Sequence, residues 1–302
     1  MDTFRFALLN KEISLRVYDL TTLVITFNPG NYTAWYVRRK CLDQVPELAD
    51  KIEEERKYIN SIGPSMTKNY QYWHHRILLV KKYGKLPEDE YKHLKDIYDL
   101  DDKNYHMWTY RMWITETFNL WETEKEDIVE KIKKNPTNNS AWSYRYFLVF
   151  HNADYTKVAE IEVDFAKKAI TSNVTNECAW VYYKGVLFVS RKKTVGDMVS
   201  ALELENKLKA EAREYCEKVL DSDPNNRFAT SMLIDLLKDN KKDMEKVLKM
   251  CDKLTETDKI RKNYWKWLKD NIQAKAKETD HEENKGKKDN TKDTNSNEDV
   301  KK

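Results

Sequence analysis

Apolar residues return along this chain at helical spacing, in segments closed by turn-forming residues. Phe4, Leu8, Leu15, Leu20, Leu23, Val24 and Phe27 fall within 3–27, which reads as one or two helices despite the β-branched Val17, Thr21, Thr22, Ile25 and Thr26. Asn28-Pro29-Gly30 stops that segment, and a helix over about 33–43 follows. The next runs from Pro46 to about Ile62, with Leu48, Ile52, Tyr58 and Ile59 on its apolar side, and breaks at Gly63-Pro64-Ser65. The same spacing predicts a helix over 70–83 with Tyr72, Trp73, Ile77 and Val80 inward and Gly84 as its C-cap. Further helices are predicted over 88–99, 105–119, 123–134, 140–150, 155–172, 177–190, 199–221, 227–237 and 242–254. In the 155–172 helix, Val158, Ile161, Phe165, Ala166 and Ile170 are expected to face inward. A last helix, opened by Thr257 or Asp258, carries Trp265 and Leu268. Nothing reads as a strand. From about Ala276 the chain is dominated by Lys, Glu, Asp, Asn and Thr, so 273–302 is expected to be a charged, disordered tail behind a helical body over 1–272.

Within this pattern one unit recurs, Asn-Tyr-x-x-Trp-x-x-Arg. It stands as Asn31-Tyr32…Trp35…Arg38, Asn69-Tyr70…Trp73…Arg76 and Asn104-Tyr105…Trp108…Arg111. A fourth copy, Asn138…Trp142…Arg145, has Asn139 at the Tyr position, and a fifth, Asn176…Trp180, ends in Tyr183 instead of Arg. The Trp-to-Trp steps are 38, 35, 34 and 38 residues. Periods of this size belong to stacked helical pairs, each unable to bury its apolar side alone. About seven antiparallel pairs result. The unit makes sense as scaffold: Asn caps the helix, while Trp and Arg fall near one face further along it. Trp buries a large area and still offers an indole N–H. Arg can tie one repeat to carbonyls or carboxylates of the next.

Composition narrows the class. Six Gly and six Pro in 302 residues argue against a turn-rich β fold. Charged residues are 35% of the chain but the net charge is +3, with the two signs interspersed, so no nucleic-acid signal arises. Cys41, Cys178, Cys216 and Cys251 have no metal-ligand spacing. No signal peptide or membrane-spanning run is read, and a soluble cytoplasmic protein without stable membrane insertion is expected. Eighteen Tyr and nine Trp suggest a surface rich in aromatic anchors.

Catalytic signals are modest. His74 and His75 are adjacent on a helix and diverge by about 100°, so they do not suit one metal. Glycine-rich phosphate loops are absent. His106 and His151 read as structural, although His106 opens a signature helix. Lys68 and Lys103 each precede a capping Asn, in the turn at a helix N-terminus where free amides and the helix dipole favour anions. Tyr70 and Tyr105 lie in the same first turns. These lysines are either solvated charges of a Lys-rich chain or donors to a phosphate.

The long segment Lys68-Asn69-Tyr70-Gln71-Tyr72-Trp73-His74-His75-Arg76, with Lys103-Asn104-Tyr105-His106-Met107-Trp108 and Asn138-Asn139-Ser140-Ala141-Trp142, resembles the α subunits shared by protein farnesyltransferase and type I geranylgeranyltransferase. Asp258-Lys259-Ile260-Arg261-Lys262-Asn263-Tyr264-Trp265 resembles that family's C-terminal helix, and the similarity spans about 4–270. The resemblance implies an all-α fold, an α-α superhelix of helical hairpins that wraps around a barrel-shaped β subunit in an obligate heterodimer. It implies an enzyme, inactive as the single chain, that moves a farnesyl or geranylgeranyl group from its diphosphate to a cysteine thiol near the C-terminus of CaaX-box proteins such as small GTPases. Zinc would be held by the β subunit and magnesium would accompany the diphosphate.

The resemblance also carries roles residue by residue. Lys68 would lie close to the diphosphate, with Tyr70 at the same site. Gln71 would hydrogen-bond the terminal carboxylate of the protein substrate. Tyr105 and His106 would line the diphosphate side of the cleft, with Lys103 beside them. Two departures stand out. The similarity begins close to Met1, so the family's extended N-terminal segment is expected to be short, and Tyr183 replaces a repeat arginine. The alternatives are the α subunit of the Rab-type geranylgeranyltransferase, whose pattern is looser at the Lys-Asn-Tyr starts, and a non-catalytic tetratricopeptide-like scaffold.

Overall fold

The computed structural model describes residues 2–188 and 197–276. The expected charged tail beyond 276 and the last two residues of the predicted 177–190 helix lie outside them. The chain divides into two compact units, Met1–His151 and Asn152–Lys302. Both are built of helices and short turns, without a β-strand among the described residues.

The first unit contains α1 (Asp2–Leu9), α2 (Leu15–Phe27), α3 (Tyr32–Gln44), α4 (Ile52–Ile62), α5 (Tyr70–Tyr83), α6 (Glu90–Leu100), α7 (Tyr105–Phe118), α8 (Trp121–Lys134) and α9 (Asn139–Phe150). After α1 these fall into four pairs, α2/α3 to α8/α9. The second helix of each pair carries the Asn-Trp unit. Between α3 and α4 the predicted single helix from Pro46 is broken: Pro46–Leu48 forms a 3-10 turn and α4 starts at Ile52. Gly84 closes α5 in the left-handed conformation, at φ 75°, which costs glycine nothing. Gly63 is needed for another reason. A Cβ there would lie 2.5 Å from His93 Cε1 and 2.7 Å from Tyr72 Oη, closer than any side chain tolerates.

The second unit contains α10 (Tyr155–Ser172), α11 (Glu177–Leu187), α12 (Met198–Ser222), α13 (Arg227–Leu237), α14 (Met244–Thr257) and α15 (262–276). They form three further pairs, which makes seven in all among the described residues. One sequence expectation is corrected here. Ile161 is exposed, and the inward face of α10 is Tyr155, Ala159, Glu162, Val163, Ala166 and Ile170. Glu162 is tolerated inside because Tyr182 donates to its carboxylate. Glu162 lies on the same helical stripe as Ala159, Val163, Ala166 and Ile170, and Ile161 lies off it.

The recurring unit explains the stacking. Each capping Asn accepts from first-turn amides, as Asn69 does from Gln71 at 2.8 Å and Tyr72 at 3.1 Å, and Asn104 from Met107 at 2.9 Å. Each Trp donates its indole N–H to the carbonyl six residues before it: Trp35 to Pro29, Trp73 to Thr67, Trp108 to Asp102, Trp142 to Pro136 and Trp180 to Val174, at 2.8–2.9 Å. The Asn of the next repeat then donates to the same carbonyl: Asn69 to Pro29, Asn104 to Thr67 and Asn138 to Asp102, at 2.8–3.0 Å. Asn226 reaches Val174 at 3.5 Å in the second unit. One loop carbonyl thereby joins two consecutive repeats, and Asn serves as helix cap and inter-repeat staple at once.

The arginines complete the joint. Arg38 makes two bonds to Glu55 at 2.7 and 2.6 Å, Arg76 two to Glu90 at 2.8 and 2.7 Å, and Arg111 bonds Glu124 at 2.5 Å. These side chains are almost fully buried. Each carboxylate lies on the first helix of the following pair, so the arginine does tie one repeat to the next. His75 Nε2 meets Glu55 at 2.7 Å and Tyr144 donates to Glu124 at 2.6 Å, each twenty residues beyond the glutamate. Burial pushes the pKa of Glu55 up, but the hydrogen bonds from His75 and Arg38 outweigh it and hold the carboxyl at about 2.

Candidate functional site

The first turns of α5 and α7 lie side by side, because Asn104 is stapled to Thr67 and the two helices pack together. That places the residues singled out in the sequence on one surface. Lys68 stands in the turn before α5 with 81% of its side chain exposed, and its Nζ is 3.6 Å from Asp101 Oδ2 in the turn before α7. Asp101 Oδ1 also accepts from the backbone N–H of Lys103 at 3.2 Å. Lys68 and the Lys103 turn therefore share one carboxylate.

Tyr70 and Tyr105 are 71% and 69% exposed, and their hydroxyls have no hydrogen-bond partner among the described residues. His106 lies between them. The Tyr70 ring meets it edge-on at 4.3 Å between centroids, the Tyr105 ring at 5.5 Å, and Trp73 lies nearly parallel beneath at 6.3 Å. Half-burial against these rings lowers the His106 pKa from its ordinary value, which favours the neutral imidazole. Gln71 follows in the same turn of α5, half-buried, with its N–H bonded to Asn69. Six residues from two repeats thus form an exposed face at two adjacent helix N-termini. Such a face offers ammonium groups, phenol hydroxyls and the first-turn amides not taken by Asn69 and Asn104 to an anion, with Asp101 the carboxylate beside Lys68.

No group of three or more His, Cys, Asp or Glu able to hold a metal occurs among the described residues. His75 is buried on Glu55 while its neighbour His74 is exposed. The cysteines are buried, and desolvation pushes the thiols up, to about 12 for Cys216 and about 11 for Cys251, away from the thiolate that zinc requires. The described residues do not fit a zinc site. No described helix is long and apolar enough to cross a membrane.

The sequence reading passed over Glu55, Glu90, Glu124 and Glu162, and also His93 and Asp101. The glutamates carry a signal of their own: they recur at steps of 35, 34 and 38, in register with the Trp period. His93 and Asp101 carry none, since neither recurs with the repeat and each acts through neighbours that only the fold brings to it.

Three stretches, 15–45, 87–118 and 121–152, match the protein prenyltransferase alpha subunit repeat, and each covers one helix pair of the first unit. Among solved structures, that titled Candida albicans protein geranylgeranyltransferase-I complexed with GGPP shares the fold, with a TM-score of 0.74, 24% identity and coverage of 89% of this chain and 88% of that one. The protein farnesyltransferase/geranylgeranyltransferase type-1 subunit alpha of Pisum sativum is 32% identical over 300 residues, which cover 91% of this chain and 86% of that protein. This chain belongs to the family of protein farnesyltransferase/geranylgeranyltransferase type-1 alpha subunits. The human geranylgeranyl transferase type-2 alpha subunit is 27% identical over 177 residues, covering 57% of this chain and 25% of that protein.

Proposed function

We propose that this chain is the α subunit of a cytoplasmic, heterodimeric CaaX prenyltransferase and that the face around Lys68 meets the isoprenoid diphosphate. The observation that carries the reading is the convergence of exposed Lys68, Tyr70 and Tyr105 with half-buried His106 at two adjacent helix N-termini, where the carboxylate nearest Lys68 is that of Asp101. In the reaction a thiolate sulfur bonds to the first carbon of the isoprenoid, the carbon–oxygen bond breaks, and its electron pair leaves on the diphosphate. Charge therefore grows on the diphosphate oxygens in the transition state, where fixed donors count most.

Lys68 supplies a mobile positive charge beside that leaving group, and Lys103 a second one further off. The hydroxyls of Tyr70 and Tyr105 donate to diphosphate oxygens, and His106 holds both rings in place. Gln71 binds the terminal carboxylate of the protein substrate. Zinc, which would hold the cysteine as thiolate, belongs to the β subunit, and magnesium would travel with the diphosphate. The extent of similarity favours the CaaX-type over the Rab-type enzyme, since the type-2 relative matches little more than half of this chain.

The test is coexpression with a candidate β subunit, followed by assay of CaaX peptides with farnesyl and geranylgeranyl diphosphate. A copurifying pair that modifies the peptides without an escort protein is expected. A pair that forms but modifies its targets only with an escort protein would overturn the CaaX assignment, and an active single chain would overturn the subunit assignment.

A further inference from the structure

The repeat arginines Arg38, Arg76 and Arg111 all have a buried carboxylate. Their neighbour Arg39 does not. It is half-buried on α3, its Nη1 is shielded from solvent, and that atom has no hydrogen-bond partner. No ion pair to Arg39 occurs among the described residues. Its surroundings are cationic as well. His74 on α5, which packs against α3, feels the positive charge of both Arg39 and Lys81, and burial together with these charges lowers its pKa. Lys81 stands two turns beyond His74 on the same face of α5, with its ammonium 5.7 Å from the Trp113 ring of α7 and no carboxylate partner among the described residues. Burial likewise lowers the pKa of Arg39 itself.

An isolated chain gains nothing from this arrangement. A shielded guanidinium N–H without an acceptor costs free energy. The ladder of exposed tyrosines shares these helices: Tyr32 and Tyr36 precede Arg39 on α3, and Tyr70 precedes His74 on α5. Exposed aromatic anchors beside a desolvated cation are the composition of a protein–protein interface.

We infer that Arg39, with His74 and Lys81, forms a docking point for an acidic side chain of the partner subunit, which supplies the carboxylate this chain lacks. The inference rests on the proposed heterodimer and deepens it by naming the contact. The aspartate or glutamate would accept from Arg39 Nη1, and Lys81 would lie at the rim. Truncating one member of a buried, hydrogen-bonded charge pair costs far more than removing a rim charge.

The experiment uses the coexpressed heterodimer, with dissociation followed by sedimentation on dilution at several salt concentrations. Formation of the wild-type pair tests the heterodimer by itself. Arg39→Gln is expected to raise the dissociation constant by about thirty-fold or more and to flatten its salt dependence, with Arg39→Lys recovering part of the loss. Lys81→Gln, at an exposed position that folding does not need, is expected to give a loss of about two- to five-fold in the same direction. Unchanged dissociation and salt slope in both variants would overturn the inference while leaving the heterodimer intact. Unchanged association combined with weaker binding of inorganic diphosphate would also overturn it, in favour of a small-anion site. If Arg39→Gln fails to fold, Lys81→Gln decides: weakened association supports the docking point, and wild-type association overturns it.

Discussion

Lys68 has most of its side chain in solvent and a single carboxylate, Asp101, at 3.6 Å. An exposed pair of that length contributes little to stability, so Lys68→Ala is expected to leave folding unchanged. If the ammonium serves the departing diphosphate, the same substitution lowers single-turnover prenyl transfer by roughly 10²-fold while lipid affinity stays near wild type. Single-turnover rates with lipid binding and heterodimer formation checked separately decide this, and a wild-type rate would remove Lys68 from the chemistry. A second residue-scale prediction concerns His93. Its Nε2 lies 2.8 Å from the Tyr72 hydroxyl in a buried pocket, and burial, with Arg76 adding to it, pushes its pKa down to about 3. The folded state keeps His93 neutral, whereas the unfolded chain protonates it below about 6.5. Its contribution is therefore complete above pH 6.5 and is lost as pH falls toward 3. Between pH 7 and 5 the wild type is expected to lose about 2 kcal/mol more than His93→Gln in urea unfolding, at up to about 1.4 kcal/mol per pH unit. Glu55 does not confuse the comparison, since its depressed pKa of about 2 makes it lose stability only between its ordinary range and that value. Equal pH slopes in the two proteins would show that His93 is not held neutral. His93 illustrates a limit of sequence reading: a lone histidine on an amphipathic helix has no pattern, and its role comes from Gly63 and Tyr72, two residues distant in sequence.

At the scale of the helix, the joint between repeats depends on buried charge. Arg76 and Glu90 form a two-bond pair in which both side chains are almost wholly enclosed. Such a pair is weak evidence of net stabilisation, because desolvation offsets much of the attraction, but breaking it leaves a bare charge. Arg76→Met is expected to destabilise the chain by about 3–5 kcal/mol, and the double variant Arg76→Met, Glu90→Gln to recover a good part of that loss. Chemical denaturation of the single and double variants measures it, and strictly additive losses would contradict the pairing. Arg76 was legible from its place in the repeat, three residues after Trp73, as a tie to the neighbouring repeat. Its acceptor was not, because a glutamate on an otherwise charged helix reads as solvated until the fold encloses it. The helix ends were legible to within a few residues wherever Asn, Gly or Pro set them. The exception is Pro46, which opens a 3-10 turn before α4 instead of α4 itself. The carbonyl shared by each Trp and the next Asn was out of reach for another reason: the acceptor is backbone, and backbone carries no sequence signal.

At the scale of the molecule, the proposed function implies a division of labour between this chain and its partner. The face around Lys68 is cationic and aromatic and is the one proposed to meet the diphosphate, and no group of three or more His, Cys, Asp or Glu able to hold a metal occurs among the described residues. The residues of that face came from a resemblance concentrated in two first turns. Their convergence depends on the α5–α7 staple through Thr67, which the period of the repeat implies without locating. If the isoprenoid chain itself is housed by the partner subunit, substitutions in this chain should change how fast the lipid is transferred and not which lipid is chosen. The expected result is concrete. Tyr70→Phe and Tyr105→Phe, each removing one hydroxyl that no described residue engages, should lower turnover less than Lys68→Ala does, because a neutral hydrogen bond is worth less than a charge-assisted one. In every such variant the ratio of kcat/KM for farnesyl and geranylgeranyl diphosphate should stay at the wild-type value for a given partner. Exchanging the partner subunit, with this chain unchanged, should move that ratio by orders of magnitude. The measurement is a competition assay with both lipids in one reaction, run for each variant with each partner. A variant of this chain alone that inverted the preference would place part of the lipid pocket here, and the division of labour would have to be redrawn.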